Sequence, residues 1–203
     1  MENVNDREYD DVYMLNLPTI LTLLRIAFIP LVVLVYYLPF HGAHMVAAII
    51  FALAAATDWL DGYLARSWNQ TTRFGSFLDP VADKLIVSTM LVLLVAEHHV
   101  PFLELPAVII IGREIAISAL REWMSSVGSR LSVNVNMLAK VKTAIQLTAL
   151  VLLIFYTNGM PLGRIVLTCG IILLYFAAVL TIWSMCLYLK AAWQDLTNRR
   201  EPQ

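Results

Sequence analysis

Six runs of apolar residues, over 19–38, 44–66, 75–96, 105–124, 135–156 and 164–189, constrain this chain more than any other feature. Each is long enough to cross the bilayer's hydrocarbon layer, which takes about 20 residues of helix. Breakers stand between them: Pro39 and Gly42, Pro101 and Pro106, Gly159 and Pro161. With 60% hydrophobic and only 14% charged residues, an ordinary soluble domain is excluded. The expectation is an all-α integral membrane protein with six transmembrane helices around a polar cavity open to the cytoplasm.

Charge sets the orientation. The segments before run 1, between runs 2 and 3, between runs 4 and 5, and after run 6, with the run ends that border them, hold Arg7, Arg66, Arg73, Arg121, Arg130, Lys190, Arg199 and Arg200. The opposite loops hold only Arg164, so the positive-inside rule puts both termini in the cytoplasm. The first sixteen residues open on acids (Glu2, Asp6, Glu8, Asp10, Asp11) and lack a basic start, so run 1 reads as a retained span rather than a signal peptide. The expected division is 1–18 as a cytoplasmic or interfacial segment (with a short interfacial helix near 9–17), 19–190 as the membrane domain, and 191–203 as a cytoplasmic tail. A net charge of −1 predicts no nucleic-acid partner. Cys169 and Cys186, seventeen apart in one apolar run, read as small buried hydrophobes. His41, His44, His98 and His99 fall at the outer ends, as interfacial histidines would.

Against this apolar background, residues 58–83 hold four carboxylates: Asp58, Asp61, Asp79 and Asp83. Ionisable groups at membrane depth cost at least ~2.5–3.5 kcal/mol each on insertion scales, so four together call for a ligand. Spacings of three and four put each pair on one face of a helix, and a turn near 67–73 would bring the pairs together. Converging oxygen donors, with no thiolate or imidazole in the stretch, suit one or two Mg2+ or Mn2+ ions. Gly62 and Ala65 lack the bulk that would keep a ligand off the backbone. Arg66 offers a fork of donors suited to phosphate.

Five further basic residues lie inside the runs: Arg25, Lys84, Arg113, Lys140 and Lys142. Each must snorkel, pair with an acid or line a wet cavity. Arg121 follows Arg113 by eight residues, about 80° around the helix, with Glu114 and Glu122 beside them. Lys140 and Lys142 point to different faces, so one would snorkel while the other turns inward. Two readings stand here: these cations receive an anionic substrate, or they only neutralise acids and reach for lipid phosphate.

The pattern D-x2-D-G-x2-A-R-x8-G-x3-D-x3-D, met at every specified position over 58–83, resembles the signature of the CDP-alcohol phosphatidyltransferase family. Eight fixed residues in 26 positions make that specific. The segments NLPTILTLLR (16–25), REIAISALREWM (113–124) and KVKT (140–143) resemble the bacterial branch that makes phosphatidylglycerol phosphate, and the likeness runs over about 15–189. It implies transfer of a phosphatidyl group from CDP-diacylglycerol to sn-glycerol 3-phosphate at the cell membrane, with release of CMP. It also implies roles. Asp58, Asp61 and Asp79 would hold the ions with Asp83, and Asp83 would be the general base. Asp61, Gly62, Ala65, Arg66 and Gly75 would receive CDP-diacylglycerol, and Arg113, Arg121, Lys140 and Lys142 the phosphate of the acceptor. A homodimer suits a bundle this small, though no motif locates its interface. Two rivals are a family member using inositol phosphate, serine or phosphatidylglycerol, and a divalent-cation transporter. The transporter has no use for the recess at Gly62, Ala65 and Gly75.

Overall fold

The computed structural model describes residues 17–67, 73–97, 102–126, 136–157 and 159–198. Every regular element among them is an α-helix: α1 (Leu17–Tyr36), α2 (Ala43–Ser67), α3 (Arg73–Ala96), α4 (Glu104–Ser126), α5 (Asn136–Phe155) and α6 (Gly163–Asn198). The first five begin and end within two residues of the predicted runs. The sixth continues nine residues past its run, because the polar stretch from Lys190 to Asn198 is rich in Ala, Gln, Lys and Leu, which favour helix without favouring lipid. Much of the expected tail is therefore an extension of α6. The expected interfacial helix near 9–17 lies, but for Leu17, outside the described residues.

Among the described residues, two helices are long and apolar enough to cross a membrane by length and composition alone, over Thr19–Tyr36 and Gly163–Trp193, and α2 carries a shorter apolar stretch, Ala43–Thr57.

The chain divides into two compact units, one of Met1–Leu93 with Ile154–Met160, the other of Leu94–Leu153 with Pro161–Gln203. In the first, α1 and α2 pack as an antiparallel pair whose turn passes through Gly42 at a φ of 101°, a left-handed conformation that glycine adopts without strain. Ala43, Ala47, Ala48 and Ala54 are buried beside Val32, Val35 and Phe51, small residues that let the two backbones approach closely. In the second unit, α4 packs on α6. Buried Ile110, Ile117 and Met124 recur every seven residues along α4. The buried stripe of α6 runs Gly170, Leu174, Ala177, Thr181, Ser184, a three-four repeat that turns from apolar to hydroxyl-bearing toward its C-terminal end. A Cβ on Gly170 would lie 2.8 Å from Leu153 Cδ2, so the leucine of α5 occupies the space that a side chain there would need. The opposite stripe of α6 (Ile165, Ile172, Phe176, Val179, Trp183) is exposed.

The cysteines correct the sequence reading: Cys169 and Cys186 are both exposed, on that outward stripe of α6, and both are free thiols. In a run that is apolar all round, composition does not reveal which side faces inward. Helical phase does.

Candidate active site

Three polar residues interrupt α1 at intervals of three: Thr19, Thr22 and Arg25. All three are buried, Arg25 to 1% exposure. The Arg25 side chain crosses to α3, where its Nη1 donates to Oδ1 of Asp79 at 3.2 Å and to Oδ1 of Asp83 at 2.5 Å. The spacing of four puts both carboxylates on one face of α3, as expected, and one nitrogen bridges them. Between them stands Pro80, which has no N–H for the ladder bond to the carbonyl of Ser76. The carboxylates remain 42% and 46% exposed, while their arginine is enclosed.

Asp58, Asp61, Gly62, Ala65 and Arg66 belong to the last turns of α2, and their side chains lie outside the description; Gly75 is half-buried in the first turn of α3. Among the described residues no three His, Cys, Asp or Glu side chains converge. The described half of the carboxylate set nonetheless fits a divalent ion. Its donors are hard oxygens on one helix face, they already converge on a cation, and they stay accessible beside it.

The second unit holds the other charges. Oε1 of Glu114 accepts from Arg113 Nη1 at 2.7 Å and from Lys142 Nζ at 3.0 Å. Lys142 is 4% exposed, whereas Lys140 lies on an exposed face, so the two lysines divide as their spacing required. Arg113 also donates through Nη2 to Ser184 Oγ at 3.1 Å. Arg121, more exposed, donates through Nη2 to Tyr188 Oη at 2.8 Å, with its guanidinium 5.1 Å from the centre of that ring. Of the two acids flanking the arginines, Glu114 is the one that pairs; Glu122 is exposed. Arg113 and Lys142 thus meet at one carboxylate, whereas Arg121 bonds an aromatic hydroxyl.

A signature and a charge pattern of this kind can be compared with known proteins. The family model for CDP-alcohol phosphatidyltransferase matches residues 15–183, most of the chain. The chain belongs to the CDP-alcohol phosphatidyltransferase family. Its relatives narrow the comparison. A protein of Yersinia enterocolitica called CDP-diacylglycerol–glycerol-3-phosphate 3-phosphatidyltransferase is 57% identical over 182 residues, covering 90% of this chain and 97% of that protein. Proteins with the same name from Pectobacterium atrosepticum and Salmonella choleraesuis are 54% identical over 181 residues and 53% over 184. These alignments cover 89% and 91% of this chain, and 97% and 98% of the relatives.

For a family member, three partners stand out that the sequence reading did not assign: Arg25 against the carboxylates, and Ser184 and Tyr188 against the arginines. Arg25 carried a signal, since Thr19, Thr22 and Arg25 are the polar positions of an apolar run and share a helix face. Ser184 and Tyr188 carried none, because serine and tyrosine are ordinary in a membrane helix and their partners lie about 70 residues away.

Proposed function

We propose that this chain transfers the phosphatidyl group of CDP-diacylglycerol to sn-glycerol 3-phosphate, giving phosphatidylglycerol phosphate and CMP. The names of relatives that are 53–57% identical over nearly their whole length support the reaction. The observation that carries the choice of acceptor is the Arg113–Glu114–Lys142 cluster. Two enclosed cations share one carboxylate, and the acceptor's phosphate supplies the anion that such a surplus calls for. Serine, being without a phosphate, would leave it unmet; inositol phosphate would not, and against it stand the names of the relatives.

The hydroxyl oxygen at carbon 1 of glycerol phosphate attacks the phosphorus that bears the diacylglycerol. A new P–O bond forms, the P–O bond to CMP breaks, and the hydroxyl proton passes to a base. Asp83 is that base, and Arg25 fixes the direction its carboxylate faces. Asp58, Asp61, Asp79 and Asp83 would hold Mg2+ or Mn2+, which when bound offsets the charge of the diphosphate and of the departing CMP. Gly62, Ala65 and Gly75 leave room for the cytidine beside Asp61, and Arg66 grips its phosphate. Arg113, Arg121 and Lys142 receive the acceptor's phosphate. Lys140, on an exposed face, meets the phosphates of the bilayer surface instead.

The same reading makes all six helices membrane spans, residues 19–190 the embedded domain, both termini cytoplasmic and a homodimer the working form. The diacyl tails stay in lipid while the headgroups react at the cytoplasmic surface. The test is CMP release from CDP-diacylglycerol by the purified protein, with and without glycerol 3-phosphate, with Mg2+ or Mn2+ and then with chelator. Release that requires both metal and glycerol phosphate is expected. Release only with another alcohol would keep the family and discard the acceptor; folded protein that releases no CMP with any acceptor would sink the reading.

A further inference from the structure

The arginines of α4 that bind the acceptor's phosphate in this reading are both held by hydroxyls of α6. Ser184 and Tyr188 are four residues apart, one turn of a single helix face, and they meet Arg113 and Arg121 respectively. We propose that Ser184 and Tyr188 are positioning residues for the acceptor's phosphate: they set the two guanidinium groups without cancelling their charge. The proposal rests on the function proposed above.

The direction of the hydrogen bonds carries the argument. Ser184 Oγ gives its hydrogen to the Thr181 carbonyl one turn back at 2.9 Å, so toward Arg113 it offers only lone pairs. Ser184 is 4% exposed, and water has little access to replace it. Arg113 is then fixed at two points, Nη1 on Glu114 and Nη2 on Ser184. Its Nε is buried and has no hydrogen-bond partner among the described residues. With Nε unable to bond elsewhere, the orientation of the guanidinium is left to Nη1 and Nη2. A guanidinium so fixed offers a planar fork of donors suited to a phosphate.

Tyr188 acts on Arg121 in two ways, accepting from Nη2 and holding its ring beneath the guanidinium. Both contacts restrain the side chain, and neither supplies a negative charge. A carboxylate at either position would hold the arginine equally well but would compete with the phosphate. Glu114 already does so for Arg113 and Lys142, which makes neutral hydroxyls the useful complement elsewhere in the cluster.

The test uses the full-length protein in mixed micelles with CDP-diacylglycerol. Ser184→Ala and Tyr188→Phe are each expected to raise the KM for glycerol 3-phosphate about five- to tenfold, the effect of losing one hydrogen bond of ordinary net strength. The KM for CDP-diacylglycerol and kcat should stay within about twofold, since nothing on the donor side is altered. Ser184→Thr, which restores the hydroxyl, should return the acceptor KM to within about twofold of wild type. Thermal unfolding of each variant separates this from misfolding, because a purely structural role would move Tm and all three constants together. An unmoved acceptor KM in Ser184→Ala and Tyr188→Phe, with wild type turning over glycerol 3-phosphate, overturns the positioning role alone. Wild type that does not use glycerol 3-phosphate overturns the function and this proposal with it.

Discussion

The two units hold charge clusters that are near opposites. In the first, one arginine, Arg25, lies between two carboxylates, Asp79 and Asp83. In the second, one carboxylate, Glu114, lies between two cations, Arg113 and Lys142. Taken as triads, the first is left with an excess of negative charge and the second with an excess of positive charge. The enclosed member also differs. The cation is the buried partner in the first unit, and its carboxylates are the groups left accessible. In the second, the lysine is buried and the arginine nearly so. The difference indicates what each cluster can accept: accessible oxygens invite a cation, enclosed nitrogens an anion. The proposed transfer would use both, one to manage the diphosphate and one to hold a phosphorylated alcohol.

The sharpest way to break this comparison is at the carboxylate pair. Asp83→Asn keeps the size and one oxygen but removes the base, and turnover should fall about a thousandfold, within the ~10²–10⁴ range of general-base effects. Binding of CDP-diacylglycerol should persist, measured by equilibrium binding of the lipid in micelles. Normal turnover would remove Asp83 from the chemistry.

Glu114→Gln tests the other cluster through stability. It leaves Arg113 and Lys142 without their shared counter-charge, a change expected to cost about 3 kcal/mol, as breaking other enclosed ion pairs does. Adding glycerol 3-phosphate should raise the Tm of this variant more than that of wild type, because the anion replaces the lost charge and binds only the folded form. Equal gains in the two proteins would mean that Glu114 merely neutralises its neighbours.

A smaller effect separates the two lysines. Lys142→Ala should raise the KM for glycerol 3-phosphate about tenfold, while Lys140→Ala, on an exposed face, should shift it less than about threefold. Similar values would undo the division between an inward and an outward lysine.

What was legible beforehand follows from periodicity and local spacing. Helix boundaries follow from hydrophobic runs and from the prolines and glycines between them, and these needed no knowledge of neighbours. The carboxylate signature over 58–83 was readable because its geometry is local, with each pair a helical turn apart. That Lys140 and Lys142 point to different faces was readable too, since residues two apart on a helix cannot share a face; which of them turns inward was not. Cys169 and Cys186 went the other way: both lie on the exposed side of a helix whose apolar residues surround it.

By itself, then, the sequence determined the all-helical plan of the described residues, where each helix begins and ends, and the identity of the acidic motif, all set by residues within a few positions of one another. Tertiary structure alone decided which charges meet. Arg25 reaches carboxylates 54 and 58 residues away, Lys142 reaches Glu114 across 28, and Ser184 and Tyr188 reach arginines 71 and 67 residues back. Such pairings depend on how helices are rotated about their axes when they pack. That rotation is settled by burial and small-residue contacts over whole helix faces, which no local spacing encodes.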